Sequence, residues 1–275
     1  MEKIQQAIER AKGRHAVDLD RGFQTTGVQR KLAFGVGANL EVDSPLPEVT
    51  LDDARLVANR LIAHNAANPL AKAFDMLRTQ VLQSMDARGW KILAVTSPTA
   101  GCGKTVTALN LALSMARQPE RSVVLADLDF QKPKVATNLG LYVRGGASDV
   151  LKGQSRLSSV MVRARIGSAQ FRILPTDAAP GSSELIASRA MVHMLQELKN
   201  DFQSQTVILD LPPVLSSDDV IAILPHVDCV LLVVAMGTST IAEIEASKQH
   251  LNATEVVRVV VNKVPDMTAN YYGYS

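Results

Sequence analysis

Apolar positions along the chain switch between a helical and a strand period, and the switching sets the element order. Residues 2–12 repeat every three to four positions, with Ile4, Ala7, Ile8 and Ala11 on one stripe, which predicts a short helix. Residues 13–50 hold Gly, Pro, Asp and Thr without sustained period, include the turn-rich Ser-Pro-Leu-Pro at 44–47, and read as a linker. Helical spacing returns over 51–62. The ordered domain is expected to begin near Asn68, where a helix opens at Asn68-Pro69 and runs to about Met85, with Leu70, Phe74, Leu77, Val81 and Leu82 on its apolar face. Strands are then predicted at Ile92–Val95, Ser122–Ala126, Phe171–Leu174, Thr206–Leu209, Val227–Val234 and Val256–Val261. Helices are predicted from Lys104, over Ser182–Asn200 and over Ser239–Leu251, while 147–166 reads as helical turns on the surface. Val227–Val234 is apolar on both faces after Asp228, as a central parallel strand is. Strands alternating with helices predict an α/β fold: a mostly parallel central sheet with helices on both faces, in three layers.

The loop between the first of these strands and its helix carries chemistry. Gly101-Cys102-Gly103-Lys104-Thr105 matches the end of a P-loop, although Pro98 stands where the first glycine of G-x-x-x-x-G-K-T belongs. Gly101 and Gly103 let the backbone close around an anion with its N–H groups inward, and the new helix aims its positive end at the same point. Lys104 is placed to reach the β- and γ-phosphates of ATP, and the Thr105 hydroxyl to ligate Mg²⁺. The second strand ends in Asp127-Leu128-Asp129, where alternation puts both carboxylates on one side; two like charges at the carboxyl end of a parallel strand call for a cation. Thr206–Leu209 ends in Asp210-Leu211-Pro212-Pro213, a Walker B pattern whose aspartate holds Mg²⁺ directly or through water. The candidate nucleotide contacts are Gly101, Cys102, Gly103, Lys104, Thr105, Val106 and Asn262. Asn262, at the end of the last strand, either reads an adenine edge or caps a turn.

Composition narrows the class. Lys+Arg total 29 against Asp+Glu 27, which gives no electrostatic case for nucleic acid. Hydrophobic residues make up 47%, enough for a sizeable core, and the longest clean apolar run, Cys229–Met236, is too short to span a bilayer. The first residues carry no secretory apolar stretch, and neither Cys102 nor Cys229 suggests a disulfide, so a reducing, cytoplasmic setting is expected. Of four tyrosines, three (Tyr271, Tyr272 and Tyr274) fall in the last five residues, where a core would not use them. The expected domains are an N-terminal helix and linker over 1–65, a nucleotide domain over 66–266 and a tyrosine-rich tail over 267–275.

With these motifs in order, the chain resembles the bacterial tyrosine autokinases of capsule and exopolysaccharide synthesis (BY-kinases), P-loop proteins of the MinD/ParA type. The likeness covers roughly 65–275 and includes Leu77-Arg78-Thr79, GASDVLKG at 146–153, SSELIAS at 182–188 and DLPPVLSSDD at 210–219. IQQAIERA at 4–11 is similar to the start of the versions that are separate cytoplasmic proteins. The resemblance implies an ATP- and Mg²⁺-dependent tyrosine kinase with Lys104, Asp127, Asp129 and Asp210 as catalytic residues. Asp127 would lie nearest the attacking hydroxyl, while Thr105, Asp129 and Asp210 would organise the metal. Tyr271, Tyr272 and Tyr274 would be phosphorylated in trans within a homo-oligomeric ring. It further implies an activating partner, the cytoplasmic segment of a membrane polysaccharide co-polymerase, which would bring the protein to the inner face of the membrane.

Two departures stand out. Gln131 replaces an arginine usual in the family, leaving Lys132 or Lys134 to supply the charge. The family's oligomer helix reads E-x-x-R-x-x-R, whereas this chain has Lys72, Asp75 and Arg78, which are expected to alter or weaken assembly, or else to form a solvated face. A MinD/ParA-type positioning ATPase is the competing reading, but it calls for a lysine at Thr99. A non-catalytic ATP-dependent switch of the export machinery is the other, favoured by Gln131.

Overall fold

Each central strand is apolar on both faces, and the protein covers both. The computed structural model describes residues 46–143, 145–179, 183–200 and 206–265. Within them the strands are β1 (Glu48–Thr50), β2 (Ile92–Thr96), β3 (Val123–Asp127), β4 (Val162–Ile166), β5 (Ala169–Leu174), β6 (Thr206–Asp210), β7 (Cys229–Ala235) and β8 (Glu255–Asn262). The helices are α1 (Asp53–Ala58), α2 (Ala71–Arg88), α3 (Lys104–Ala116), α4 (Val135–Leu139), α5 (Ala147–Leu151), α6 (Leu157–Val160), α7 (Ser183–Ile186), α8 (Arg189–Asn200), α9 (Asp219–Ile223) and α10 (Ile241–His250).

The strands form one sheet in the order β1-β4-β5-β3-β6-β2-β7-β8. From β5 to β8 every neighbouring pair is parallel; β4 runs antiparallel to β5, and β1 runs parallel to β4. Alternation sends Leu93, Val95, Leu125, Ile208, Leu231 and Val233 into one core with Val81, Met85, Leu109 and Leu113 of α2 and α3. Their neighbours Ala94, Val124, Val207, Leu209, Val230 and Leu232 enter a second core with Met191, Met194 and Leu195 of α8 and Val220 of α9. The predicted α/β sandwich with a mostly parallel sheet is the fold observed. Among the described residues no helix is long and apolar enough to cross a membrane.

Several elements differ from the sequence reading. The linker expected over 13–50 ends earlier: β1 lies inside it and pairs with β4, and Leu51, Leu56, Leu61 and Ala63 are buried in the first core, ahead of Asn68. The surface turns expected over 147–166 are α5 and α6 followed by β4, which hairpins with β5. The helix expected over 182–200 is two helices: Ser188 interrupts it, and its hydroxyl accepts the Met191 N–H at 3.3 Å at the start of α8. Leu70 is 61% exposed, and Ala71 and Met85 join Val81 and Leu82 on the buried face of α2 instead. The helix predicted over 2–12, Ser182 and the tyrosines at 271, 272 and 274 lie outside the described residues.

Candidate nucleotide and phosphotransfer site

The carboxyl ends of β3, β6 and β2 lie side by side, and the sheet register sets Asp127 directly opposite Asp210, and Asp210 opposite Val95. The phosphate loop leaves β2 at this end. Gly101 and Gly103 have φ of +84° and +93°, the left-handed region that a side chain disfavours. Gly103 begins α3 without any side-chain cap, so the first N–H groups of the helix are left for an anion. That is the local reason a strand–Gly–helix sequence leaves room for an anion here.

The charged side chains converge beneath it. Lys104 Nζ lies 2.8 Å from Asp129 Oδ2 and 3.4 Å from Asp210 Oδ1. The Thr105 hydroxyl donates to Asp210 Oδ2 at 2.6 Å. Asp127 is engaged differently: its Oδ1 accepts the Asp129 N–H at 3.2 Å, and its Oδ2 accepts the N–H groups of Lys134 and Val135, both at 3.0 Å. Its carboxylate therefore caps the start of α4 as well as facing the lysine cluster. Asp129 Oδ1 accepts the Lys132 N–H at 3.0 Å, which folds the loop after β3 back over the site.

Burial governs the protonation of this cluster. Burial, and then the facing Asp210 carboxylate, push Asp127 up to about 7, against the pull of its backbone hydrogen bonds and Lys104. Asp210, fully buried, is also raised, chiefly by burial, although Lys104 and Thr105 oppose the shift. Burial alone would lower Lys104, but Asp210, Asp129 and Asp127 together hold it above the ordinary lysine value. Three buried carboxylates around one ammonium leave excess negative charge, which a divalent cation would neutralise. Among the described residues no three acidic, imidazole or thiol side chains converge closely enough to hold a metal ion unaided. Thr105, Asp129 and Asp210 supply only hard oxygen donors, and Mg²⁺ normally draws the rest of its shell from phosphate oxygens and water. The residues present fit a metal that arrives with a nucleotide.

A cleft of about 410 Å³ opens above the cluster. Gly101, Gly103, Lys104, Thr105, Val106 and Asp129 line it, as do Gln131, Lys132 and Lys134 on one wall and Pro212, Pro213, Ser216 and Ser217 on another. Asp127, Asp210 and Cys102 lie buried behind that surface. Asn262 sits beside the loop, with its amide donating to the Cys102 carbonyl at 2.9 Å and its Oδ1 accepting the Lys263 N–H at 2.8 Å. Sequence reasoning quoted Ser216 and Ser217 within DLPPVLSSDD but gave them no role in the cleft wall; the signal was the polar run Ser216–Asp219 after Val214-Leu215. A larger cleft of about 610 Å³, between the end of α2 and the loop after α3, contains none of the candidate residues.

Residues 93–272 match the family described as the CobQ/CobB/MinD/ParA nucleotide binding domain. The chain belongs to this family. Relatives in sequence include the tyrosine-protein kinase wzc of Salmonella typhi, 28% identical over 226 residues, which cover 80% of this chain and 31% of that protein. Another is the tyrosine-protein kinase etk of Escherichia coli K12, 27% identical over 216 residues, covering 78% of this chain and 29% of that one. The chain thus spans less than a third of the length of the relatives it matches. Among solved structures, the kinase domain of the Escherichia coli tyrosine kinase ETK superposes with a TM-score of 0.64 at 29% identity, over 74% of this chain and 79% of that one. The BceF tyrosine kinase domain gives 0.66 at 25% identity, over 80% of this chain and 94% of that one. The resemblance to bacterial tyrosine kinases is therefore borne out in both sequence and fold.

Proposed function

We propose that the chain is an ATP- and Mg²⁺-dependent protein-tyrosine kinase that phosphorylates its own C-terminal cluster, Tyr271, Tyr272 and Tyr274, from one copy to another. The observation that carries this is the convergence of Lys104, Thr105, Asp129 and Asp210 under an uncapped helix start, at the mouth of a nucleotide-sized cleft. The names of the relatives supply the acceptor class. Phosphoryl transfer asks the protein for alignment and charge neutralisation more than covalent chemistry. The loop N–H groups and Lys104 would hold the triphosphate. Thr105, Asp210 and Asp129 would hold Mg²⁺, which neutralises charge on the phosphates when bound. Asp127, pushed up to about 7, would take the phenol proton, while Lys132 and Lys134 on the cleft wall add positive charge near the acceptor. Regulation of exopolysaccharide polymerisation and export is proposed from the resemblance to the BY-kinases alone. So are assembly into a ring, activation by the cytoplasmic segment of a membrane co-polymerase and recruitment to the membrane through it.

One observation favours a second reading, a nucleotide-dependent switch without transfer: both Asp127 oxygens accept backbone N–H groups, which ties the proposed base to α4. Incubation with labelled ATP and Mg²⁺, followed by mass spectrometry of the C-terminal peptide, separates the two. Phosphate on Tyr271, Tyr272 or Tyr274 that is lost in Lys104→Met is the expected outcome. ATP consumption with an unmodified tail would select the switch.

A further inference from the structure

Asn262 ends β8, the outermost strand on its side of the sheet, and its backbone carbonyl accepts the Met236 N–H at 2.9 Å, which fixes the main chain. Its side chain then reaches across to the phosphate loop. The amide donates to the Cys102 carbonyl, and an added Cβ at Gly103 would lie 2.1 Å from Asn262 Nδ2, so the loop and the amide are packed against each other with no room between. Cys102 is fully buried, with its Sγ 3.4 Å from Ser239 Oγ on the turn that leads out of β7. The orientation of the amide is set from the other side. Lys263 holds a left-handed φ of +57°, and its N–H donates to Asn262 Oδ1 at 2.8 Å. Lys263 is the first residue beyond β8 on the way to the C-terminal segment.

We infer that Asn262 is a positioning residue: a brace that joins the phosphate loop to the exit of the C-terminal segment, so that the two shift together. A hydrogen bond that bridges two otherwise separate backbone segments, oriented by a strained residue, couples their local opening. Of the two roles the sequence left open for this residue, the bond from the Lys263 N–H to its Oδ1 is the turn cap, and the amide's bond to the phosphate loop is a third contact that the sequence did not foretell. The inference rests on reading Gly101–Thr105 as the nucleotide loop, and not on which group accepts the phosphate.

Hydrogen exchange on the full chain tests it. Without nucleotide, Asn262→Ala is expected to speed exchange in the loop peptide 97–104 by about fivefold, as loss of one such hydrogen bond would, with β2 and β6 unchanged. Mg–ADP is expected to slow exchange in both 97–104 and 257–265 of the natural protein, but only in 97–104 of the variant, because coupling between two segments is reciprocal and the variant has cut it. Loop exchange that stays at the natural rate in a folded Asn262→Ala protein would overturn the inference, even if ADP affinity fell, since that pattern marks a ligand contact and not a brace. Should Asn262→Ala not fold, Asn262→Ser retains an acceptor for the Lys263 N–H, lacks the reach to Cys102, and carries the same two outcomes. The apo measurement needs no phosphotransfer, so a missing tail phosphate would count against the kinase reading alone.

Discussion

Asp127 and Asp210 face each other at the ends of β3 and β6, and what burial does to that pair is measurable in the protein without ligand. Asp127 is lifted from 3.8 to about 7 in the folded state. A raised carboxylate means that the native state binds more protons than the unfolded chain between those two values. Its contribution to stability is therefore complete below about pH 4 and is lost as the pH rises towards 7, at no more than about 1.4 kcal/mol per pH unit. Thermal melts of the apo protein from pH 5 to 8 are expected to show this decline, and Asp127→Asn is expected to flatten it. A slope unchanged in Asp127→Asn would assign the dependence to another group. Lys104, Thr105 and Asp210 were legible in the sequence because each follows a strand or glycine signal at fixed spacing. An aspartate after a strand also reads as a helix cap, and Asp127 does cap α4; that it takes the N–H groups of Lys134 and Val135 was not legible, since no period foretells the path of the chain from Leu128 to Pro133.

Between elements, the contact of α2 with α3 turns on Asp75. Its carboxylate accepts from Ser114 Oγ, Arg78 and Arg117, with Arg117 Nη1 at 2.9 Å, and Arg78 also donates to the Ser114 carbonyl at 3.0 Å. Lys72 is exposed, whereas Asp75 and Arg78 are half-buried, so the charged stripe read from the sequence is partly a solvated face and partly an internal clasp. Asp75→Ala leaves two guanidinium groups short of an acceptor in a half-buried site and is expected to cost roughly 1–3 kcal/mol in urea unfolding. A change within error would mean that solvent replaces the clasp. Long helices and central strands were legible because their apolar positions are periodic and dense. β1 and β4 were not, and neither was the burial of the helical stretch from Leu51 to Ala63: β1 has only three residues, and only Ala164 of β4 is buried, so neither strand shows the dense apolar run of the central strands.

At the level of the molecule, the sheet order brings β3, β6 and β2 together although β4, β5 and the helices α4 to α8 intervene in sequence between β3 and β6, and this gathers Asp127, Asp129, Asp210 and the phosphate loop at one end of the sheet. Ligands bind at the carboxyl ends of strands in open α/β sheets, and the buried charge imbalance found there gives the physical reason in this protein. Excess carboxylate burial weakens the empty site, and a magnesium nucleotide bound to the native state alone would stabilise it by mass action. Calorimetric titration of the full chain with Mg–ATP is the sharpest check. One nucleotide taken up per chain, with uptake abolished in Lys104→Met while its circular dichroism stays native, is the expected result. A folded natural chain that takes up neither Mg–ATP nor Mg–ADP would contradict the reading of this cleft.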